Sequence, residues 1–254
     1  MFDSGVGGLS VLREFRRLAP AERVIYFADT AYFPYGPRPA AEVRKRAFAV
    51  VHRLLASDVK LVVVACNTAS AAAIADLREI FDIPFVGMVP GLKPAALTSK
   101  SGVVAILATD GTFDGDLYAR VMEEFGGTSR VISVSGEGLA ELVERGEQAT
   151  AGTRALLRER LGGAVERGAD TLVLGCTHYH FLAATIRGEF PGLELVDTSA
   201  AVARRAVQLL DDDALRAPDG REGELDLIVS GDHAAFRDAM TRLGFTAAMQ
   251  GAHG

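Results

Sequence analysis

The only two cysteines of the 254-residue chain, Cys66 and Cys176, are the side chains best suited to proton-transfer or covalent chemistry. Each follows an apolar run, LVVVA before Cys66 and TLVLG before Cys176, and each precedes polar residues. A cysteine between a strand and a helix faces the free N–H groups of the helix N-terminus, which favour the thiolate over the thiol. The placement therefore indicates reactive thiols, although free cysteines are also often inert and buried.

Two other uses of the cysteines compete with acid–base chemistry. Cys176, His178 and His180 stand at alternate positions, as metal ligands can, but a zinc site would have to recruit Cys66 without a further histidine nearby. A thiol redox switch would require the two sulfurs to reach disulfide distance. We favour neither use, and we expect no metal and no structural disulfide.

Three further segments place polar residues at predicted turns. FDSGVGG (2–8) offers Asp3 and Ser4 before a glycine turn whose backbone N–H groups suit an anionic ligand, although it is neither a P-loop nor GxGxxG. PYG (34–36) follows two aromatic residues, and ATDGT (108–112) follows an apolar run. Taken one at a time, a tight turn, a packed turn and a helix N-cap explain these segments as well as ligand binding does.

Strands and helices must bring these residues together. The apolar runs predict strands that are covered on both faces, and the helical stretches between them predict βαβ units around parallel sheets. The predicted strands are 24–27, 59–65, 85–89, 102–108, 130–134, 171–175, 193–196 and 225–229. The predicted helices are 9–18, 40–56, 69–81, 114–125, 151–167, 200–211 and 234–243.

The two cysteine segments, LVVVACNTAS (61–70) and TLVLGCTHYH (171–180), share one design of apolar strand, small residue, cysteine and polar turn. This echo predicts two α/β halves, each with a cysteine at the carboxyl end of a strand, where open α/β sheets bind their ligands. PGLKP (90–94) is the predicted linker, and the C-terminal residues are predicted to fold back onto the first half.

Composition bounds the class of protein. The chain is 49% apolar and 24% charged, as soluble globular proteins are, and its net charge of −6 argues against nucleic acid or an anionic membrane as the main partner. No stretch predicts a membrane span or a signal peptide, so we expect a cytoplasmic location.

Taken together and in this order, FDSGVGG, PYG, ACNTAS and GCTHY resemble the glutamate racemase family, and SGD (230–232) fits the same family. The resemblance covers essentially the whole chain. It implies an α/β fold of two similar domains, each with a mainly parallel sheet flanked by helices, and an active site in the cleft between them. The implied bounds are 1–91 plus 205–254 for the first domain and 92–204 for the second.

The resemblance also implies roles for individual residues. Cys66 would act on D-glutamate with the assistance of Asp3, and Cys176 would act on L-glutamate with the assistance of His178. His178 stands where the related aspartate and hydantoin racemases typically have Glu, which points to glutamate. Glu144 stands where the family often has a carboxylate near the second cysteine. The residues implied to hold the substrate are Ser4, Tyr35, Gly36, Asn67, Thr68 and Thr177, with Thr109 as a weaker candidate.

The chemistry of a thiol pair agrees with this implication. Inverting a stereocentre requires removal of a proton from one face of Cα and its return to the other, which a thiolate and a thiol can share symmetrically. No lysine lies in a motif that suggests a pyridoxal Schiff base, so we expect no cofactor. The expected binding partner is the substrate glutamate, and the expected role is the supply of D-glutamate to peptidoglycan synthesis. Whether the protein forms a homodimer is left open. Racemisation of aspartate and non-catalytic binding of an acidic metabolite are the alternatives.

Three departures from the family pattern fall near these residues. Met1 directly precedes Phe2 where the family has several apolar residues, so we expect either a truncated first strand or a native start upstream of Met1. His180 replaces the proline usual after GCTHY, and the Cys-Pro usual before Glu144 is absent. The last two changes leave the geometry of the Cys176 loop and the role of Glu144 open.

Overall fold

The computed structural model describes residues 1–245 except 126, 128, 219 and 221. Its strands are β1 (Phe2–Asp3), β2 (Val24–Ala28), β3 (Val62–Val64), β4 (Phe85–Gly87), β5 (Val103–Ala108), β6 (Arg130–Ser135), β7 (Thr171–Leu174), β8 (Glu194–Val196) and β9 (Leu225–Val229). Its helices are α1 (Leu9–Leu18), α2 (Ala40–Leu55), α3 (Asn67–Ile80), α4 (Leu92–Thr98), α5 (Asp110–Phe113), α6 (Asp116–Phe125), α7 (Leu139–Glu144), α8 (Ala151–Glu166), α9 (Ala183–Glu189), α10 (Ser199–Asp212) and α11 (His233–Arg242).

The strands form two sheets, one in the order β4-β3-β1-β2-β9 and one in the order β6-β5-β7-β8, and every pairing is parallel. Parallel sheets must be covered on both faces, which is why most of these strands are apolar throughout. The predicted fold class is confirmed. The exact domain bounds stay a prediction, and the residues 246–254 that they include lie outside the described residues.

The two sheets share one continuous apolar core. It joins Leu12 and Tyr26 of the first sheet's layers to Leu107 and Leu172 of the second. Helix α1 presents a buried stripe at helical spacing and packs against α10, which follows the last strand of the second sheet. Side-chain packing therefore connects the two sheets. No helix in the described ranges is long and apolar enough to cross a membrane.

Four helices differ from the sequence-based expectation, among them α5, which was not predicted as a helix. The predicted linker 90–94 was wrong in its second half, because α4 begins at Leu92. Pro94 lies in the first turn of that helix, where a missing N–H costs no hydrogen bond. Helices α7 and α9 were not predicted, since six and seven residues are too few to show a helical period.

The parallel arrangement brings the motif residues to shared sheet edges. Asp3 ends β1, and Cys66 follows β3 by two residues in the same sheet. Thr109 follows β5 directly, and Cys176 follows β7 by two residues in the other sheet. Carboxyl ends of parallel strands are the usual ligand-binding edge, so each sheet contributes one cysteine to such an edge.

Ser70 fastens the segment that carries Cys66 to the neighbouring strand. Its buried hydroxyl donates to the Val64 carbonyl at 3.1 Å and accepts from the Met88 N–H at 2.9 Å. We expect Ser70→Ala to lower the free energy of unfolding by about 1–3 kcal/mol, because it leaves the Met88 N–H unpaired in the interior.

Urea denaturation of Ser70→Ala beside Ser57→Ala measures this effect. Ser57 is exposed, so its substitution should change the free energy of unfolding by less than about 0.5 kcal/mol. Equal losses in the two variants would contradict the assignment.

Candidate active site

A cavity of about 100 Å³ lies between the ligand-binding edges of the two sheets and is lined by both cysteines. Both thiols are free and almost fully buried. The first sheet and its loops contribute Ser4, residues 33–37, Cys66 and Thr68. The second contributes Thr109, Asp110, residues 135–138, Ala140, Glu141, Cys176, Thr177, His178 and Tyr179.

Cys66 stands at the N-cap of α3 with extended backbone dihedrals, as the sequence predicted. Asp3 lies buried beneath the glycine turn, where its Oδ2 accepts from the N–H of Gly8 at 2.8 Å. Burial raises the pKa of Asp3 despite that hydrogen bond and the charge of His178. The other carboxyl oxygen, Oδ1, has no hydrogen-bond partner among the described residues.

The N-terminus of helix α3 favours the Cys66 thiolate as expected, but other effects outweigh it. Burial, followed by the negative charge of Asp3, raises the pKa of Cys66 well above its ordinary value. The backbone N–H of Ala69 opposes this rise but is outweighed. Desolvation of a fully buried sulfur exceeds what a helix terminus supplies, so Cys66 is held as a thiol.

Cys176 precedes a 3₁₀ turn, Thr177–Leu182, instead of an α-helix. Its Sγ lies 3.8 Å from Nδ1 of His178, and Nε2 of the same ring lies 2.8 Å from Oε1 of Glu144. Burial lowers the pKa of His178, but the hydrogen bonds and negative charges of Cys176 and Glu144 together raise it well above its ordinary value. A pKa raised in this way favours the imidazolium form of His178, which lies between Cys176 and Glu144.

The glycine turn of the first sheet rests directly on this pair. The N–H of Val6 donates to Oε1 of Glu144 at 2.8 Å, the same oxygen that contacts His178. A Cβ on Gly5 would overlap Glu144, and a Cβ on Gly7 would overlap His178. Glycine is required here because the backbone of one half passes within contact distance of the other half's side chains.

The two residues that follow Cys66 in the sequence, Asn67 and Thr68, have different surroundings. Thr68 Oγ1 lies 2.8 Å from Thr109 Oγ1, and Thr109 Oγ1 lies 2.9 Å from Thr112 Oγ1, so a hydroxyl cluster joins the two sheets. Asn67 is buried, and both polar atoms of its amide lack a hydrogen-bond partner among the described residues. An unpaired buried amide is costly in a free protein, and it is suited to a polar ligand.

The PYG segment forms one wall of the cavity in a way that the sequence did not show. The hydroxyl of Tyr35 donates to Oδ2 of Asp29 at 2.5 Å, and Asp29 forms a two-pronged ion pair with Arg46. The Gly36 carbonyl accepts from the Gly111 N–H at 3.1 Å. Asp29 was missed, although a polar residue directly after a buried strand was the available signal.

The side chains that line the cavity include several acidic residues. Asp110, Glu137 and Glu141 line it, whereas no lysine or arginine does so in the part of the chain that the structure describes. His180 lies outside the lining. Across the described ranges, no cluster of three or more His, Cys, Asp or Glu side chains is placed to hold a metal ion.

A protein-family model described as Asp/Glu/hydantoin racemase matches residues 7–206. The chain belongs to the Asp/Glu/hydantoin racemase family. It is 45% identical to a glutamate racemase of Herpetosiphon aurantiacus over 237 residues, which cover 93% of each protein. The family predicted from the four motifs is confirmed, and the chain is a racemase, hence an isomerase.

Solved structures agree. A glutamate racemase isoform of Bacillus anthracis is 32% identical with a TM-score of 0.87, and the match covers 96% of this chain and 93% of that one. Glutamate racemase of Escherichia coli, in complex with L-glutamate and an activator, is 35% identical with a TM-score of 0.83 and coverage of 96% and 94%.

In this racemase, the carboxylate of Glu144 helps to keep His178 protonated. We expect Glu144→Gln to lower the pKa of His178, because the amide keeps a hydrogen-bonding oxygen but removes the negative charge. NMR titration of isotope-labelled histidine measures the change. Glu141→Gln is the matched control, since Glu141 lies on the same helix and lines the cavity. An unchanged His178 pKa in Glu144→Gln would overturn this account.

Proposed function

We propose that this racemase interconverts L-glutamate and D-glutamate without a cofactor, using Cys66 and Cys176 as its two bases. The observation that supports the proposal is the shared cavity: the cysteines reach it from different sheets, and each has its own proton-handling neighbour. Asp3 assists Cys66, and His178 with Glu144 assists Cys176. The names of the relatives favour glutamate as the substrate over aspartate.

The protonation states suit a reaction that begins with L-glutamate. We propose that Cys176, beside the His178 ring, enters this reaction as a thiolate, and that Cys66, whose pKa is raised by burial, enters it as a thiol. Cys176 removes the Cα proton, and the electron pair of the broken C–H bond passes into the α-carboxylate. Cys66 then delivers its proton to the opposite face, which leaves D-glutamate, a Cys176 thiol and a Cys66 thiolate.

Asp3 and His178 complete the cycle from opposite ends. With its own pKa raised by burial, Asp3 can take up or return the proton of Cys66 through the free Oδ1. The imidazolium of His178 can only return a proton to Cys176, so the proton that Cys176 takes from L-glutamate leaves to solvent before the next turnover. The reverse reaction uses the same groups in the opposite order.

The cavity holds the substrate mostly with neutral donors. Because no lysine or arginine lines it among the described residues, we propose that backbone N–H groups and hydroxyls stabilise much of the charge that develops on the α-carboxylate. Asn67 does not itself line the cavity, although both polar atoms of its amide are buried without a hydrogen-bond partner among the described residues. The proposed substrate-binding residues are Ser4, Tyr35, Gly36, Asn67, Thr68 and Thr177, with Thr109 in support; Tyr35 acts through its backbone, since its hydroxyl is engaged by Asp29.

The proposal extends to the cellular role. A cytoplasmic racemase of this kind would supply D-glutamate to peptidoglycan synthesis. We retain 1–91 plus 205–254 and 92–204 as the proposed domains, since the two sheets divide along these lines.

Purified protein incubated with L-glutamate in D2O, without added cofactor, is expected to produce D-glutamate that carries deuterium at Cα. Proton NMR follows the exchange, and a chiral assay follows the product. L-aspartate under the same conditions is the matched substrate control and should react far more slowly. Absence of both exchange and D-glutamate would sink the proposed activity, and a preference for aspartate would reassign the substrate.

Replacing either thiol should stop racemisation while leaving a trace of its partner's chemistry. We expect Cys66→Ser and Cys176→Ser each to lower kcat by about 10²–10⁴-fold or more, the range for a lost general acid or base. Cys66→Ser should still exchange the Cα proton of L-glutamate, and Cys176→Ser that of D-glutamate. Full racemase activity in either variant would refute the two-base assignment.

A further inference from the structure

We propose that His180 is a positioning residue for proton transfer at Cys176, because it joins the Cys176 loop to the glycine turn and to the start of α10. The proposal rests on the function proposed above. His180 stands where the resembling family has proline, and it takes no part in the chemistry just described.

His180 is the centre of a buried hydrogen-bond network. Its Nδ1 lies 2.5 Å from Oγ of Ser199 and 3.1 Å from Oγ of Ser10. The two hydroxyls are themselves 3.2 Å apart, and Ser10 donates to the Gly7 carbonyl at 3.0 Å. The His180 side chain is 3% exposed. Polar groups this deeply buried hold their partners firmly, because breaking any one contact leaves an unpaired group.

The network spans elements of both sheets. Ser10 lies in the first turn of α1, His180 lies in the 3₁₀ turn that follows Cys176, and Ser199 is the first residue of α10. Gly7, which receives the hydrogen bond of Ser10, packs against His178. The turn that begins after Cys176 is therefore held through His178 near its start and through His180 near its middle, in both cases against the first-sheet glycine turn.

The surrounding charges keep His180 a neutral partner of these hydroxyls. Burial lowers the pKa of His180, and the positive charges of His178 and Arg13 act in the same direction. Asp197, whose Oδ1 lies 3.5 Å from Nδ1, opposes them, but its side chain is half exposed and its charge is screened by solvent. Ser10 donates to the Gly7 carbonyl and Ser199 donates to Ser10, so Nδ1–H of the neutral ring donates to Oγ of Ser199.

Loss of this network should disturb one base and not the other. Cys176 belongs to the turn that His180 holds, whereas Cys66 is fixed by α3 and by Asp3. Displacement of a reacting group by about 1 Å can cost on the order of 10²-fold in rate. Only the steps in which Cys176 gives or takes a proton would slow.

The matched variants are His180→Leu and His180→Asn. Both side chains branch at Cγ and have similar size, but only Asn places a polar atom as many bonds from the backbone as Nδ1 of histidine. We expect His180→Leu to lower kcat in both directions by about 10- to 100-fold and His180→Asn to restore most of the loss. Ser199→Ala, which keeps the ring and removes its nearest partner, should resemble His180→Leu.

Isotope effects separate positioning of Cys176 from general damage. With α-deuterated L-glutamate, Cys176 breaks the labelled bond, so the isotope effect on kcat/KM should rise in His180→Leu. With α-deuterated D-glutamate, Cys66 breaks the labelled bond and the slow step becomes proton return from Cys176, so the isotope effect should fall.

The outcomes are distinguishable. An inactive wild-type protein would overturn the proposed function itself. An active wild type whose His180→Leu and Ser199→Ala variants show equal or unchanged isotope effects for the two enantiomers would overturn only the role of His180. Failure of His180→Asn to recover activity beyond His180→Leu would also count against it. If His180→Leu does not fold, Ser199→Ala carries the same isotope test.

Discussion

One carboxylate oxygen connects the two halves of this racemase at the active site. Oε1 of Glu144 accepts from the Val6 N–H of the glycine turn and contacts Nε2 of His178, each at 2.8 Å. The first contact ties the turn after β1 to helix α7 of the other half, and the second orients the imidazole that faces Cys176. Because the backbone of the turn must come this close, its glycines cannot carry a side chain. The cavity, the pKa of His178 and the placement of Cys176 all depend on that close approach.

The two cysteines share a cavity but differ in electrostatic surroundings. Cys66 lies beside the buried acid Asp3, which together with burial favours its thiol. Cys176 lies beside an imidazole whose pKa a carboxylate helps to raise. The two thiols therefore have different neighbours, a buried acid beside Cys66 and an imidazole paired with a carboxylate beside Cys176.

The departure from the family pattern at position 180 has a structural consequence. A proline would stiffen the turn through its own ring but could not bind across the interface. Histidine gives up that local stiffness and replaces it with hydrogen bonds to Ser10 and Ser199, which belong to different elements. The turn is therefore held by tertiary contacts where a local constraint would otherwise act.

The sequence alone predicts the fold class, the succession of strands and longer helices along the chain, and four candidate site residues, Cys66, Cys176, Asp3 and His178, whose roles stay predictions. These follow from apolar runs, strand-end placement and motif order, all of which are local. Short helices such as α7 escaped prediction, since they are shorter than the window of residues over which a helical period can be recognised.

How the site residues act on one another follows from the tertiary structure. It places the Tyr35 hydroxyl against Asp29 and Glu144 against His178, in the absence of the usual preceding motif, and it gives His180 its hydrogen-bond partners. It also outweighs the effect expected at Cys66 from helix α3, because desolvation and a neighbouring charge depend on what surrounds the sulfur in space. The two cysteines are read directly from the chain, whereas their different electrostatic surroundings arise from contacts between separate segments, such as that of Glu144 with His178, 34 residues further along.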